Sequence, residues 1–196
     1  MKLVIASNNA KKRQEIATIL GTLNIELVDP NDTIAVDVIE DQDSFADNAR
    51  KKSEAFAQAN HCAALADDSG LCVDVLNHAP GIYSARFAGI DASDQDNNIA
   101  LLEALSEQSK RSAHFVCAVH LTIPESNQSF SAIGSVDGEI LHTATGVSGF
   151  GYDPLFFCPE LNKTFADATA EEKSSVSHRG RALRALAAQL NQSQYV

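Results

Sequence analysis

A change of rhythm along the chain limits its fold more than any other feature. Over residues 3–105, short apolar runs alternate with segments of helical spacing, whereas residues 113–142 carry strand-like segments with no helix between them. A run such as Leu3-Val4-Ile5-Ala6 suits a buried strand, and the Ser7-Asn8-Asn9 that follows has residue types that cap helices. Ile16, Ile19, Leu20 and Leu23 then recur at helical spacing, and a strand is expected over 25–28. Residues 29–43 are acidic, contain Pro30, and read as a loop with a short extended piece. A second helix is expected over 44–60, with Phe45, Ala49, Phe56 and Ala59 on one face and Ser44 and Asp47 in near capping-box spacing.

Strands are expected over 63–66 and 71–76, separated by Asp67-Asp68-Ser69-Gly70, and a helix over 94–105. Segments 113–123 and 129–136 suggest a hairpin, and Asp137-Gly138 is expected to turn the chain into a strand over 139–142. A last helix begins near Ser177. The pattern implies a mixed α/β protein with a parallel and an antiparallel part. No repeat or linker divides it, so a single domain over 1–196 is expected.

Fifteen Lys and Arg stand against 26 Asp and Glu, a net charge of −11. That balance repels nucleic-acid polymers and anionic membrane surfaces, so neither is an expected partner. The four cysteines are far apart and form no C-x-x-C pair, which leaves zinc-ribbon and thioredoxin-like readings unsupported. They read as reduced, mostly buried thiols. The first apolar run is too short for a signal-peptide core, and no stretch is long enough to span a bilayer. A cytoplasmic location is therefore expected.

Common catalytic strings are absent: no G-x-x-x-x-G-K, no H-E-x-x-H, no G-x-S-x-G at Ser148, and no third glycine after Gly149 and Gly151. Three clusters remain. Ser7-Asn8-Asn9-Ala10-Lys11-Lys12 opens a helix, where N–H groups and lysines suit a phosphate, although an ordinary capped surface helix has the same residues. Asp67-Asp68-Ser69-Gly70 offers two carboxylates that are costly to bury unless paired or metal-bound. With Glu40-Asp41, the oxygen-only donors suit Mg²⁺ or Mn²⁺ rather than zinc, while an Asp-rich turn is the plainer alternative. Gly149-Phe150-Gly151-Tyr152-Asp153-Pro154, with Lys173 and Ser177-His178-Arg179, combines aromatics for a planar ligand with donors for phosphate or carbonyl oxygen. A β-turn and a helix cap at Ser177 would account for the same residues.

Taken together, Ser7-x-Asn9-x-x-Lys12, Ala66 to Leu71, Ala79 to Arg86, Phe150 to Pro154, Glu172-Lys173 and Ser177 to Gly180 resemble the inosine triphosphate pyrophosphatases, also called dITP/XTP pyrophosphatases, and the bacterial branch most closely. The resemblance implies an elongated mixed central sheet flanked by helices, in two lobes with a cleft between them, and a homodimer. It implies Mg²⁺-dependent hydrolysis of ITP, dITP and XTP to the monophosphate and pyrophosphate. By the same resemblance, Ser7, Asn8, Asn9, Ala10, Lys11 and Lys12 hold the triphosphate, with Lys12 the chief phosphate contact. Asp68 is the proton acceptor and a metal ligand, Glu40 or its neighbour Asp41 the second metal carboxylate, and Ser69 a substrate contact. Phe150, Gly151, Tyr152, Asp153, Lys173, His178 and Arg179 form the base and phosphate pocket. Asn8 stands where bacterial relatives usually have glycine, and Ser7 replaces the commoner threonine. Another modified triphosphate, or a nucleotide-binding regulator without turnover, would use the same clusters.

Overall fold

The computed structural model describes residues 1–21 and 25–193. Seven strands form one mixed sheet in the order β2-β1-β3-β4-β5-β6-β7. These are β1 (Lys2–Ile5), β2 (Glu26–Leu27), β3 (Ala63–Val73), β4 (Ser112–Ile123), β5 (Gln128–Ile140), β6 (Phe156–Cys158) and β7 (Lys163–Thr164). The flanking helices are α1 (Ala10–Leu20), α2 (Phe45–Asn60), α3 (Asp94–Ala104), α4 (Ala170–Val176) and α5 (His178–Gln192). Strand β1 runs parallel to both β2 and β3, and β6 is antiparallel to β5 and β7. The parallel first half and antiparallel second half follow the change of rhythm in the sequence. Leu23, expected on the first helix, lies outside the described residues.

The chain forms two compact units. The first comprises Met1–Asp68, Cys117–Gly134 and Arg179–Val196. In it, the period-two alternation of β3 divides the apolar side chains between two clusters. Ala63 and Leu65 join Ile16 and Leu20 of α1 and Leu183, Leu186 and Leu190 of α5. Ala64 and Ala66 join Val4, Ala6, and Phe56 and Ala57 of α2. Each fully buried large aliphatic or aromatic side chain here contributes roughly 1.5–3 kcal/mol.

The second unit comprises Ser69–Val116 and Ser135–His178. Its core gathers Leu71, Val73, Leu101, Leu105, Phe115, Val136, Ile140, Phe156 and Phe165. The Phe115 ring lies 4.6 Å from that of Phe156 and 6.0 Å from that of Phe165.

Two expected turns are strand interior instead. Asp67-Asp68-Ser69-Gly70 does not interrupt β3, which runs unbroken from Ala63 to Val73 and gives way to a 3₁₀ turn at Asp74–Leu76. Turn-type composition is overruled because Arg179 and Lys12 pair with Asp67 while Asn48 and Lys52 lie against Asp68, all from other elements. Asp137-Gly138 likewise lies inside β5. The glycine is there for space: a Cβ at Gly138 would stand 2.5 Å from both the Phe156 ring and the Phe157 carbonyl oxygen. Strands β6 and β7 and helix α4 are short elements not anticipated above. Ser177 closes α4, and α5 starts one residue later at His178.

Three of the cysteines are buried, Cys62 is half-buried, and none forms a disulfide. Among the described residues no helix is long and apolar enough to cross a membrane.

Candidate functional site

In the first unit, the turn from β1 into α1 is built by its own polar side chains. Ser7 Oγ accepts from the Asn9 N–H at 3.2 Å, and Asn9 Oδ1 accepts from the N–H groups of Lys11 and Lys12 at 3.0 and 3.2 Å. Asn9 is thus the N-cap of α1. Arg13 Nη1 donates to the Ser7 carbonyl at 2.8 Å and steadies the same turn. Asn8, Ala10 and Lys11 are exposed, whereas Lys12 turns inward, its Nζ 3.4 Å from Asp67 Oδ2.

Strand alternation sends the adjacent carboxylates Asp67 and Asp68 to opposite faces, each continuing one of the two apolar rows of β3. Asp67 is fully buried. Arg179 Nε and Nη2 both donate to its Oδ2, at 3.1 and 2.9 Å, and Arg179 Nη1 donates to Glu15 at 2.5 Å. Burial works to raise the Asp67 carboxyl, but Lys12, Arg179 and Lys52 outweigh it and hold the group well below the usual carboxylate range. Beside it, burial and the Asp67 charge push the Cys117 thiol up to about 12, so it is inert as a nucleophile.

Asp68 has a different environment. Asn48 Nδ2 donates to its Oδ2 at 3.0 Å, and Asn48 Oδ1 accepts from the Gln42 N–H at 3.0 Å, which ties the acidic loop to the strand. Lys52 Nζ lies 4.0 Å from Asp68 Oδ1 and 2.5 Å from Glu40 Oε1. Burial raises the Asp68 carboxyl to about 6 against the pull of Lys52, and the Glu40 charge adds to the rise.

The donor set fits a hard divalent cation. Glu40 and Asp68 already direct oxygens at a single cationic centre, the Lys52 ammonium, and every candidate ligand is oxygen. Neighbouring Asp41 is exposed and pairs with Lys51 at 2.7 Å, so Glu40 is the carboxylate that shares a cation with Asp68.

The second unit holds the aromatic loop. Gly149 and Gly151 have φ of 79° and 59°, and a Cβ on Gly149 would meet Asp153 Oδ2 at 2.2 Å. That close approach lets Asp153 Oδ2 accept from the Phe150 N–H at 2.9 Å and from Lys173 Nζ at 2.6 Å. Lys173 Nζ also lies 4.8 Å from the Phe150 ring centre and 5.5 Å from that of Phe165. Gly151 is held from both sides: its N–H donates to Asp94 at 2.8 Å and its carbonyl accepts from Asn98 at 2.9 Å. Tyr152 is buried and donates its hydroxyl to the Ser84 carbonyl at 2.9 Å, while Ser69 is half-buried on β3. The His178 ring stacks on Phe115, centres 4.7 Å apart and planes 13° from parallel.

The structure therefore gathers Lys12, Asp67 and Arg179 in one cluster, and Glu40 and Asp68 in another on the far side of β3. It gathers Phe150, Asp153 and Lys173 in a third. Tyr152 and Asp153 spend their polar atoms on shaping the loop. The His178 imidazole stacks on Phe115, and the Arg179 guanidinium pairs with Asp67 and Glu15. Glu15, Asn48 and Lys52 belong to these clusters without standing in any of the three sequence motifs. The signal for Asn48 lies on α2, where it is a polar residue on the stripe Asn48, Ala49, Ser53, Phe56, Ala57 that the helix buries. Lys52 follows it at i+4, within reach of the same strand.

Residues 3–189 match the Ham1 family. The chain is 47% identical over 194 residues to the dITP/XTP pyrophosphatase of an Exiguobacterium species, covering 97% of each chain. It is 43% identical over 196 residues to the dITP/XTP pyrophosphatase of Nitrosomonas europaea, covering 100% of this chain and 97% of the relative. Among solved structures, the Staphylococcus aureus Ham1 protein superposes with a TM-score of 0.87 at 40% identity, covering 98% of this chain and 100% of that one. A Ham1 protein from Coxiella burnetii gives 0.88 at 37% identity, covering 98% and 99%.

Proposed function

The chain belongs to the Ham1 family, and from that premise we infer that it hydrolyses deaminated purine nucleoside triphosphates, dITP, ITP and XTP, to the monophosphate and pyrophosphate. Its role is to remove deaminated purines from the nucleotide pool. The observation that carries the chemistry is Asp68, a buried carboxylate raised to about 6 beside Glu40 and Lys52. Such a group is ionised at neutral pH yet basic enough to take a proton from water.

The Ser7–Lys12 turn is assigned to the triphosphate, with the α1 N-terminus and Lys12 supplying positive potential. Asp67 positions Lys12 rather than reacting, since its carboxyl stays ionised and is shared with Arg179. Asp68 accepts the proton of the attacking water. Glu40 and Asp68 would hold Mg²⁺, or Mn²⁺, which when bound supplies Lewis-acid neutralisation of phosphate charge. Ser69, Phe150, Gly151, Tyr152, Asp153, Lys173 and His178 are assigned to the nucleoside, with Phe150 as the stacking ring. Arg179 serves through Asp67. A donor facing O6 accepts hypoxanthine or xanthine and rejects adenine, whose amino group would leave two donors facing each other.

We read the whole chain, 1–196, as one catalytic domain of a cytoplasmic homodimer. The thiols without disulfides support the compartment, and the family resemblance supports the dimer. The deciding experiment offers ITP, XTP, dITP, GTP and ATP with Mg²⁺ and identifies the products. Pyrophosphate release from the deaminated purines is expected. Orthophosphate release, or equal rates on ATP and ITP, refutes the assignment.

A further inference from the structure

A second set of metal-binding side chains lies in the second unit and shares no residue with the site above. Asp74, His78 and His114 each offer one ligand atom, and the three atoms lie within 4.8 Å of one another. They come from three positions: the 3₁₀ turn that follows β3, the second residue after that turn, and the second unit's end of β4. We propose that these residues form a surface site for a divalent first-row transition cation of the zinc class.

The geometry suits that chemistry. His114 Nδ1 and Asp74 Oδ1 stand 3.5 Å apart, longer than a charge-assisted hydrogen bond. It is close to the separation of about 3.4 Å between two ligands of one tetrahedral metal with bonds near 2.1 Å. The His78 ring sits edge-on to that of His114, centres 5.6 Å apart and planes at 67°, so the two imidazoles do not stack in a way that would occupy their faces. Binding requires the exposed His78 side chain to close the remaining distance.

Backbone bonds fix the frame that presents these groups. Asn77 N–H donates to the Asp74 carbonyl at 3.2 Å, His78 N–H to Val73 at 3.0 Å, and Val73 N–H to Ala79 at 3.1 Å. Asn77 and His78 both take left-handed backbone, with φ of 53° and 67°, which sharpens the turn and brings His78 back beside Asp74. Asp74 and His78 are exposed and His114 is half-buried, so a cation enters from solvent without unfolding anything. Two imidazoles and one carboxylate select zinc-class ions over Mg²⁺, which prefers oxygen donors. Three protein ligands leave a fourth position for water.

The test titrates Zn²⁺ into the full chain in excess Mg²⁺, which keeps the oxygen-only donors of Glu40 and Asp68 supplied with their own cation. Imidazole NMR signals are followed. One equivalent of Zn²⁺ is expected to shift the rings of His78 and His114 together and to leave His61 and His142 unmoved. H78Q and H114Q should each weaken the binding roughly tenfold or more, and D74N should also weaken it. His78 is exposed, so H78Q tests the site even if the half-buried His114 proves intolerant of change. Ring signals that stay still at one equivalent, or an H78Q variant that binds Zn²⁺ like the parent, overturn the proposal.

Discussion

Asp67 and Asp68 are joined by one peptide bond and occupy opposite electrostatic extremes. Asp67 shares its Oδ2 among Arg179 Nη2 at 2.9 Å, Arg179 Nε at 3.1 Å and Lys12 at 3.4 Å, and these cations outweigh burial and hold its carboxyl well below the usual carboxylate range. Asp68 accepts from the Asn48 amide at 3.0 Å, stands 4.0 Å from the Lys52 ammonium, and is raised by burial to about 6. The difference assigns structure to the first and chemistry to the second.

Asp68→Asn should separate activity from stability. Turnover falls about 10²–10⁴-fold with the base removed, while nucleotide binding largely survives. In the unfolded chain the carboxyl loses its proton near 3.8, but in the folded chain it keeps it to about 6. The folded state therefore binds more protons between those values, and stability falls as pH rises through them and stays lower above. Asn carries no such charge, so the variant should be more stable at pH 7, by on the order of 1–3 kcal/mol, and the gain should vanish below pH 4. Urea unfolding at both pH values, with steady-state kinetics, checks this; unchanged turnover would move the base elsewhere.

A cation bound by Glu40 and Asp68 should lower the Asp68 value from about 6, because it adds positive charge beside the carboxylate. Carboxyl NMR titration with and without Mg²⁺ measures the shift. The acidic limb of kcat/KM with Mg²⁺ should then lie below pH 6, with activity rising as Asp68 ionises. A titration indifferent to Mg²⁺ would place the metal at other ligands.

Arg179→Met and Lys12→Met should fail in different ways. Arg179 is buried with Asp67, so its loss strands a buried carboxylate and costs about 3–5 kcal/mol of stability. Lys12 is partly accessible and assigned to phosphate, so its loss should cost about 10²–10³ in kcat/KM, with a smaller loss of stability. Denaturation curves and kinetics on the two variants decide it. Equal stability losses with intact kinetics in Lys12→Met would remove Lys12 from the substrate.

Gly138→Ala tests a purely steric claim. The added methyl meets the Phe156 ring and the Phe157 carbonyl at 2.5 Å, so about 1–3 kcal/mol of stability is expected to go. The kinetics of the folded fraction should be unchanged.

Much of this was legible in the sequence, because apolar period reports burial directly. The runs at 3–6, 25–28 and 63–66, and the helical spacing of Ile16, Ile19 and Leu20, mark β1, β2, the start of β3 and α1. Local composition misled where tertiary partners override it. Asp67-Asp68-Ser69-Gly70 has turn residues, yet Arg179, 112 positions away, makes it a strand interior. Gly138 resembles half of a turn until Phe156 explains the missing side chain. Lys12 and Asp68 were visible because their short segments stand out. Lys52 and Asn48 were not, since a lysine and an asparagine on a helix look like solvated surface until a strand carboxylate is placed beneath them.

The adjacency of the two carboxylates also bears on how β3 finds its place. A slip of one residue against β1 would exchange their faces, taking the row of Ala63 and Leu65 to the α2 side. Asp68 would then meet Arg179, while Asp67 would be left beside Glu40 with its guanidinium gone. A single wrong step would thus give each side of the strand the other's carboxylate as well as misplace two apolar rows, and both penalties favour the register that seats Asp68 beside Asn48 and Lys52.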